Sequence, residues 1–310
     1  MISIPDRFSP PLPIDAVLDD VRASLATNPR LVLVAAPGAG KTTRVPLALL
    51  DAPWRRNKLI VVEPRRIAAR AAAARMAESL GESVGRTVGY RVRMDSKVSA
   101  HTVIEVITEG VFTRMIVEDP LLESVSAVLF DEFHERSLDG DLGLALALDG
   151  AALRDDLRIV VMSATLDGGR VASLLGDAAV VESAGRAFPV ETRHIDRDPL
   201  LRFEDQVADT TLRALREEDG SVLVFLPGQA EIRRVAERLA DRLPAGVRLA
   251  PLYGALTAAE QDFAIRPCRT PERKVVLATA IAETSLTIDG VRLVIDGGLS
   301  RVPKYEPDTG

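Results

Sequence analysis

The chain has 310 residues, of which 47% are hydrophobic, 27% are charged and 4% are aromatic. This composition is that of a globular protein, and the length favours two domains. The formal net charge of -6 argues against a basic protein that coats nucleic acid, but it allows a local basic track. A single cysteine, Cys268, excludes an internal disulfide and fits a cytoplasmic protein. The apolar runs are too short to span a membrane, so we expect none to do so.

Short Val/Ile/Leu runs alternate with longer Ala/Leu/Arg-rich stretches. The predicted strands include Leu31–Ala35, Leu59–Val62, Val103–Thr108, Ala127–Phe130, Ile159–Met162, Val222–Leu226, Val247–Leu252, Val275–Ala278 and Leu293–Ile295. The predicted helices include Arg65–Gly81, Glu109–Glu118 and Gln229–Leu243. Strands that are apolar throughout indicate burial on both faces, which is typical of parallel sheets. The alternation therefore predicts an α/β fold with right-handed crossovers.

A loop of small residues, Glu182–Pro189, interrupts this rhythm, and the strand–helix pattern restarts after it. We place a domain boundary near residue 186. The prediction is a lead-in over residues 1–13, a first domain over 14–185 and a second domain over 186–310, both of plausible domain size.

The first chemical motif is LVLVAAPGAGKTTR, from Leu31 to Arg44, an apolar strand followed by a small-residue loop and a helix start. It resembles the Walker A pattern, with Ala35 in place of the first glycine. The backbone N–H groups of such a loop bind phosphate oxygens, the lysine neutralises the β- and γ-phosphates, and the hydroxyl after it binds Mg²⁺. The predicted nucleotide-binding residues of this loop are Pro37, Gly38, Ala39, Gly40, Lys41, Thr42 and Thr43.

The second motif is the acid pair Asp131-Glu132, directly after the predicted strand Ala127–Phe130. In P-loop enzymes the aspartate at a strand end holds Mg²⁺, here with Thr42, and the next glutamate polarises the attacking water. Lys41 and Glu132 are therefore predicted to be catalytic. Taken alone, a chance glycine-rich turn and a solvated acidic turn are the alternatives for the two motifs.

Asp131-Glu132-Phe133-His134 resembles the signature tetrapeptide of the DEAH-box helicases, with Phe133 in place of the family's alanine. Together with PGAGKT and FLPGQ, it is most similar to the bacterial HrpB-type group of ATP-dependent RNA helicases. The resemblance implies two tandem RecA-like P-loop NTPase domains with mainly parallel sheets. It also implies Mg²⁺ with ATP in the cleft, and single-stranded RNA as the partner. DNA is not excluded, and protein partners stay unknown.

The resemblance also assigns residues to RNA. Glu63–Ala69, Gly89–Arg93 and Thr108–Arg114 resemble the strand-contacting segments of the family. Two arginines at a helix start suit phosphate binding, although a solvated helix face is the alternative. The predicted RNA contacts are Arg66, Arg93, Thr108 and, in the second domain, Thr279.

Further roles are implied for residues around the nucleotide. Four residues are expected to face it: Arg75, Ser285, Thr287 and Asp289. His134 is expected to be catalytic through a contact across the cleft. Ser163 and Thr165 match the motif that couples hydrolysis to strand separation, although a simple helix cap explains them equally well. Ala280 and Ile265 depart from the family's asparagine and stacking aromatic.

The Gln-Arg-rich motif VI of the family, which supplies an arginine finger, is not found before Gly310. We therefore expect an N-terminal fragment with a truncated second domain and weak ATP hydrolysis. Two alternatives stay open. One is a P-loop ATPase or kinase acting on a small molecule. The other is a fragment that binds nucleotide or RNA without efficient turnover.

Overall fold

The computed structural model describes residues 10–165, 168–184, 189–269, 271–283 and 288–301. Contacts divide the chain into two compact units, Met1–Pro189 and Val190–Gly310. Among the described residues, no helix is both long and apolar enough to cross a membrane.

The first unit is built from alternating strands and helices. After a 3-10 turn, Pro13–Val17, its helices are α1 Leu18–Thr27, α2 Lys41–Ala48, α3 Arg66–Ser79, α4 Glu109–Glu118, α5 Leu138–Ala151 and α6 Gly168–Leu174. Its strands are β1 Arg30–Ala35, β2 Lys58–Glu63, β3 Val88–Val92, β4 Asp95–Lys97, β5 Ile104–Thr108, β6 Val125–Phe130, β7 Arg158–Ser163 and β8 Ala179–Ser183.

The strands form one eight-stranded sheet in the order β4-β3-β5-β2-β6-β7-β1-β8. Only the β3–β4 hairpin is antiparallel, and every other described pair is parallel. The carboxyl ends of all the strands except β4 therefore lie along one edge of the sheet, which is where ligands bind in open α/β sheets. We call this edge the carboxyl edge.

Alternate residues of each central strand enter opposite cores. In β1, Leu31 and Leu33 pack with α1, α2 and α3, whereas Val32 and Val34 pack with α4, α5 and α6 on the other face. The period of two residues explains this division. The single tryptophan, Trp54, packs at the margin of the first core, and the Arg158 guanidinium lies 5.2 Å from its ring centre.

The second unit has the same kind of architecture on a smaller scale. Its helices are α7 Phe203–Glu217, α8 Gln229–Leu239 and α9 Ala258–Ile265, and a 3-10 turn covers Ala280–Ala282. Its strands are β9 Ser221–Phe225, β10 Val247–Leu252, β11 Arg273–Ala278 and β12 Val291–Asp296. The sheet order is β10-β11-β9-β12, with every described pair parallel.

The predicted α/β fold with mainly parallel sheets is confirmed. All nine predicted strands are present, several of them extended by a residue or two, and the helix Glu109–Glu118 has the predicted bounds. The other two helices are shorter than predicted. α3 begins at Arg66 and ends at Ser79, and α8 ends at Leu239 because the chain continues into a turn before Pro244.

Candidate functional site

The loop between β1 and α2 turns on two glycines. Gly38 and Gly40 have φ values of +74° and +96°, which are unfavourable for any residue with a Cβ atom. Ala35 is not among the described residues with positive φ, so the alanine fits where the Walker A pattern has glycine. Backbone N–H groups of the loop and the start of α2 form a concave site suited to an anion.

Residues before α1 support this loop. Ile14 N–H donates to the Ala39 carbonyl at 3.1 Å, and Arg44 Nη2 donates to the Pro10 carbonyl at 2.9 Å. A Cβ atom on Gly40 would lie 2.6 Å from Leu12 Cδ1. Residues 10–14, part of which we assigned to a loose lead-in, therefore pack directly against the phosphate loop.

The two motifs found in the sequence meet at the carboxyl edge. Lys41 Nζ lies 3.0 Å from Glu132 Oε1, and the Thr42 hydroxyl donates to Asp131 Oδ2. Lys41 is only 2% exposed, and both acids are buried as well. The Thr42 hydroxyl and the Asp131 carboxylate fit Mg²⁺, which prefers oxygen ligands and usually combines one or two protein ligands with phosphate oxygens.

Glu132 has an unusual backbone. Its φ of +48° is in the left-handed region, which is strained for glutamate and common at functional sites. The Glu132 N–H donates to Asp131 Oδ1 at 2.8 Å, and its carbonyl accepts from Glu135 N–H at 2.9 Å. Burial, and then the negative charge of Asp131, raise the pKa of the Glu132 carboxyl. A raised pKa favours a role as a base because it strengthens proton affinity.

His134 contacts the third motif within the first unit. Its Nδ1 accepts a hydrogen bond from Ala164 N–H at 3.3 Å and lies 3.4 Å from Glu132 Oε2. Burial is the main cause that lowers the pKa of the imidazole, so the ring is neutral at pH 7 and its approach to Glu132 is not an ion pair. We expected the contact of His134 to lie across the cleft. The hydrogen bond observed here lies within the first unit and joins it to the end of β7, and the contact across the cleft stays a prediction.

Ser163 and Thr165 are linked to each other locally. Thr165 N–H donates to Ser163 Oγ at 3.3 Å, and the two hydroxyl oxygens are 3.4 Å apart. Ser163 is buried at the end of β7, between the strands that carry the phosphate loop and the acid pair. The predicted coupling residues therefore lie beside the site, and the N–H of Ala164 between them contacts His134.

Sequence reasoning missed Glu63, the last residue of β2. It is fully buried, and neither carboxyl oxygen accepts a hydrogen bond from a donor in the described structure. Burial, then Asp131 and Glu132, raise the pKa of Glu63 well above its ordinary value. A protonated Glu63 supplies an O–H donor, and the neighbouring Asp131 carboxylate is a suitable acceptor for it. The sequence shows only that a predicted strand is followed by an acid. That Glu63 lies beside the acid pair follows from the pairing of Val62 with Phe130, which places β2 next to β6.

The residues predicted to bind RNA in the first unit follow strands on one side of the acid pair. Arg66 follows β2, Thr108 is the last residue of β5, and Arg93 follows β3. Because the order here is β3-β5-β2-β6, all three lie on the carboxyl edge beside Asp131 and Glu132. Arg66 and Arg93 are exposed, whereas Thr108 is buried as the residue before α4.

The other predicted residues are more dispersed. Arg75 is half-buried on α3, which packs against α2. In the second unit, Thr279 follows β11 and Asp289 precedes β12, so the two lie at opposite edges of that sheet. Ser285 and Thr287 lie outside the described residues.

A P-loop nucleotide site at the carboxyl edge of an α/β unit, followed by a second such unit, defines a class of nucleotide-dependent enzymes. Comparison with family models narrows the class. The DEAD/DEAH box helicase model matches residues 19–174, and the model of the helicase conserved C-terminal domain matches residues 205–306. The chain belongs to the DEAD/DEAH box helicase family.

Individual relatives are similar along nearly the whole chain. The ATP-dependent RNA helicase HrpB of Escherichia coli is 53% identical over 300 residues, which cover 96% of this chain and 37% of that protein. The ATP-dependent RNA helicase HrpA of the same organism is 33% identical, over 98% of this chain and 23% of its own length. The chain thus spans less than two fifths of these relatives.

Solved structures agree with these matches. A crystal structure of the E. coli DEAH/RHA helicase HrpB has a TM-score of 0.89 and 53% identity, covering 96% of this chain and 38% of that one. A crystal structure of the E. coli DExH-box NTPase HrpB has a TM-score of 0.79 and 52% identity, covering 98% of this chain and 38% of that one. The expected similarity to the HrpB-type group is confirmed.

Proposed function

We propose that this chain is the core of an ATP-dependent RNA helicase that couples Mg-ATP hydrolysis to movement along RNA. One observation carries the proposal: Lys41 and Thr42 of the phosphate loop lie against Glu132 and Asp131 of the neighbouring motif. This arrangement supplies a cation for phosphates, two oxygen ligands for a metal and a base for water. These are the groups that phosphoryl transfer to water requires.

The roles follow from the chemistry of each group. Lys41 neutralises phosphate charge, and the loop residues Pro37 to Thr43 bind phosphate oxygens through their backbone. Thr42 and Asp131 would hold Mg²⁺, which supplies further charge neutralisation at the phosphates when bound. Glu132 accepts a proton from the attacking water, and its raised pKa supports this role. His134 acts next to it and links it to the motif Ser163–Thr165.

Contacts to the rest of the nucleotide and to RNA are proposed for the remaining residues. Arg75, Ser285, Thr287 and Asp289 would contact the nucleotide, and Arg66, Arg93, Thr108 and Thr279 would contact RNA. The alignment of Arg66, Arg93 and Thr108 on the carboxyl edge supports a strand path beside the hydrolysis site. RNA rather than DNA is proposed because both relatives named above are RNA helicases.

Glu132→Gln tests the proposal. The substitution keeps the size and most hydrogen bonds of the side chain but removes the base. We expect ATP binding to be retained and ATP turnover to fall at least about 100-fold, the lower range for loss of a general base. ATP hydrolysis by the full-length protein should be measured with RNA, with DNA and without nucleic acid.

Glu118→Gln is a matched control because Glu118 is exposed on α4, away from the acids. Wild-type and control proteins should hydrolyse ATP faster when RNA is added. Turnover that survives in Glu132→Gln would show that the base is assigned wrongly. Wild-type turnover that ignores both nucleic acids would favour an ATPase or kinase acting on a small molecule.

A further inference from the structure

A short segment that follows the acid pair contacts the start of α3, which is proposed to bind RNA. This segment, residues 133–137, directly follows Glu132, and we call it the post-acid loop. Its first three residues form a 3-10 turn, Phe133–Glu135. Both flanking residues, Glu132 and Arg136, have positive φ, at 48° and 50°. Two left-handed residues in so short a segment persist only when surrounding contacts enforce them.

Both ends of the post-acid loop are fixed. At one end, the Phe133 ring packs edge-on against Phe130, with ring centres 6.4 Å apart. At the other end, Ser137 caps α5 by accepting from Gly140 N–H at 2.8 Å, and its hydroxyl donates to Glu109 Oε2 at 2.6 Å. A rearrangement of the loop is therefore confined to its middle, His134 to Arg136.

The middle of the loop contacts the residue that immediately precedes α3. Glu135 Oε2 lies 3.1 Å from Arg65 Nη2, and the side chains are only 18% and 24% exposed. Arg65 is the residue immediately before α3 and the neighbour of Arg66. A partly buried ion pair of this kind is less screened by solvent than a surface pair. It connects the proposed RNA-binding helix start to the backbone that sets the position of Glu132.

A phosphate at the start of α3 would compete for the same guanidinium. The N-terminal end of a helix attracts anions, and arginine binds phosphate as readily as carboxylate. Arg65 can therefore exchange Glu135 for an RNA phosphate, or share its N–H groups between them. Either change alters the restraint on the Phe133–Glu135 turn, whose Glu135 N–H bonds directly to the Glu132 carbonyl.

We propose that Glu135 is a positioning residue, which acts through its contact with Arg65 to transmit RNA binding to Glu132. The inference rests on the proposed RNA-stimulated ATP hydrolysis and adds a route for the stimulation. Glu135 touches neither the nucleotide nor RNA in this scheme and competes with RNA for Arg65, so its loss should reduce stimulation without weakening RNA binding.

Glu135→Gln in the full-length protein tests the route. We expect RNA affinity at least equal to that of wild type and an RNA stimulation factor reduced at least about fivefold, equivalent to about 1 kcal/mol at 1.4 kcal/mol per tenfold. Arg65→Gln should reduce the stimulation factor similarly and also weaken RNA binding. The double substitution should reduce the factor no further than Arg65→Gln alone, because two partners of one contact are not additive.

Asp141→Asn is the matched control. Asp141 pairs with Arg136 of the same loop at 2.7 Å, but this pair is exposed and does not reach α3. The control should keep wild-type stimulation. Normal stimulation in Glu135→Gln, or equal losses in Glu135→Gln and Asp141→Asn, would overturn the inference while leaving the RNA helicase function intact. A wild type that RNA does not stimulate would overturn both.

Discussion

At the scale of single residues, the position of the post-acid loop depends on how its aromatic side chain, Phe133, packs. Phe133 stands where the DEAH-box signature has alanine, yet its ring is 8% exposed and belongs to the second core of the first unit. It extends a row of edge-to-face rings that begins with Phe112 and Phe130, whose centres are 5.3 Å apart. The residue therefore anchors the loop without approaching the phosphate-binding groups.

Phe133→Ala should destabilise the first unit by about 3 kcal/mol, because it removes a packed ring and leaves a cavity. Urea unfolding followed by Trp54 fluorescence measures this change. Leu138→Ala is the control, since Leu138 is 85% exposed and its truncation should cost less than about 0.5 kcal/mol. Equal losses for the two variants would show that the ring contributes no core packing.

Glu63 makes stability depend on pH. Its raised pKa means that the folded state binds the proton more tightly than the unfolded state does. The stability that the Glu63 carboxyl contributes is fully present below its pKa in the unfolded chain. It is lost as the pH rises through its pKa in the folded protein. Glu63→Gln removes the loss because the amide cannot ionise.

We therefore expect the free energy of unfolding of Glu63→Gln minus that of wild type to be larger at pH 8 than at pH 5. Urea unfolding at both pH values, again with Trp54 fluorescence, measures the difference. Glu123→Gln, at an exposed position of the same unit, should show no such trend. A relative stability of Glu63→Gln that falls with pH would mean that Glu63 is ionised in the folded protein.

The site residues differ in whether a short stretch of sequence is enough to identify them. Lys41, Thr42, Asp131 and Glu132 could be predicted because each motif is contiguous and its chemistry is specific to one residue order. Glu63 could not be found in the same way, since its partners come from a different strand and depend on the order of the sheet. The contact of His134 with Ala164 likewise depends on tertiary structure.

At the scale of elements, the phosphate loop depends on two glycines for different reasons. Gly38 requires a left-handed backbone but has open space around its Cα atom, with nothing within 4 Å of an added Cβ. Gly40 requires a left-handed backbone and also lies under Leu12 and Ile14, at 2.6 and 3.2 Å from an added Cβ. The turn before α1 thus closes over the start of α2.

Gly38→Ala should lower the free energy of unfolding by roughly 1–2 kcal/mol, because a residue with a Cβ atom is unfavourable in a left-handed conformation. Gly40→Ala should cost clearly more because the clash with Leu12 is added. Urea unfolding of the two variants compares them directly, and each serves as the control for the other. Equal costs would mean that residues 10–14 do not pack on the loop as described.

Strands buried on both faces were predictable because continuous apolar runs are distinctive. β3, β4 and β8 were not predicted as strands. β3 carries Arg91 among its apolar residues, β4 is short and exposed, and β8 alternates in burial at the sheet's edge. β4 and β8 are edge strands, which carry weaker hydrophobic patterns because fewer neighbours cover them. The helices α1, α5, α6, α7 and α9 were not predicted individually; α5 is difficult to recognise because its Leu/Ala/Gly sequence lacks a clear polar face.

At the scale of the whole molecule, each unit has its own hydrophobic core, as expected of domains that can fold separately. The first unit has cores on both faces of its sheet, and the second has a core that includes Val222, Val224 and Ile232. Trp54 belongs to the first unit, so its fluorescence reports the unfolding of that unit.

Ile232→Ala should destabilise the second unit by about 2–5 kcal/mol because Ile232 is fully buried. Circular dichroism during urea unfolding records both units and should show a transition at a lower urea concentration than in wild type. The transition of Trp54 should move by less than about 0.5 kcal/mol. A Trp54 transition that shifts as far as the circular dichroism transition would show that the two units unfold as one.

The single tryptophan and the single cysteine have a practical consequence for spectroscopy. Trp54 lies in the first unit, and Cys268, half-exposed after α9, lies in the second. An acceptor dye attached to the Cys268 thiol of this 310-residue chain therefore forms an energy-transfer pair with Trp54. Changes in transfer efficiency during ATP and RNA binding would follow the distance between the two units in real time.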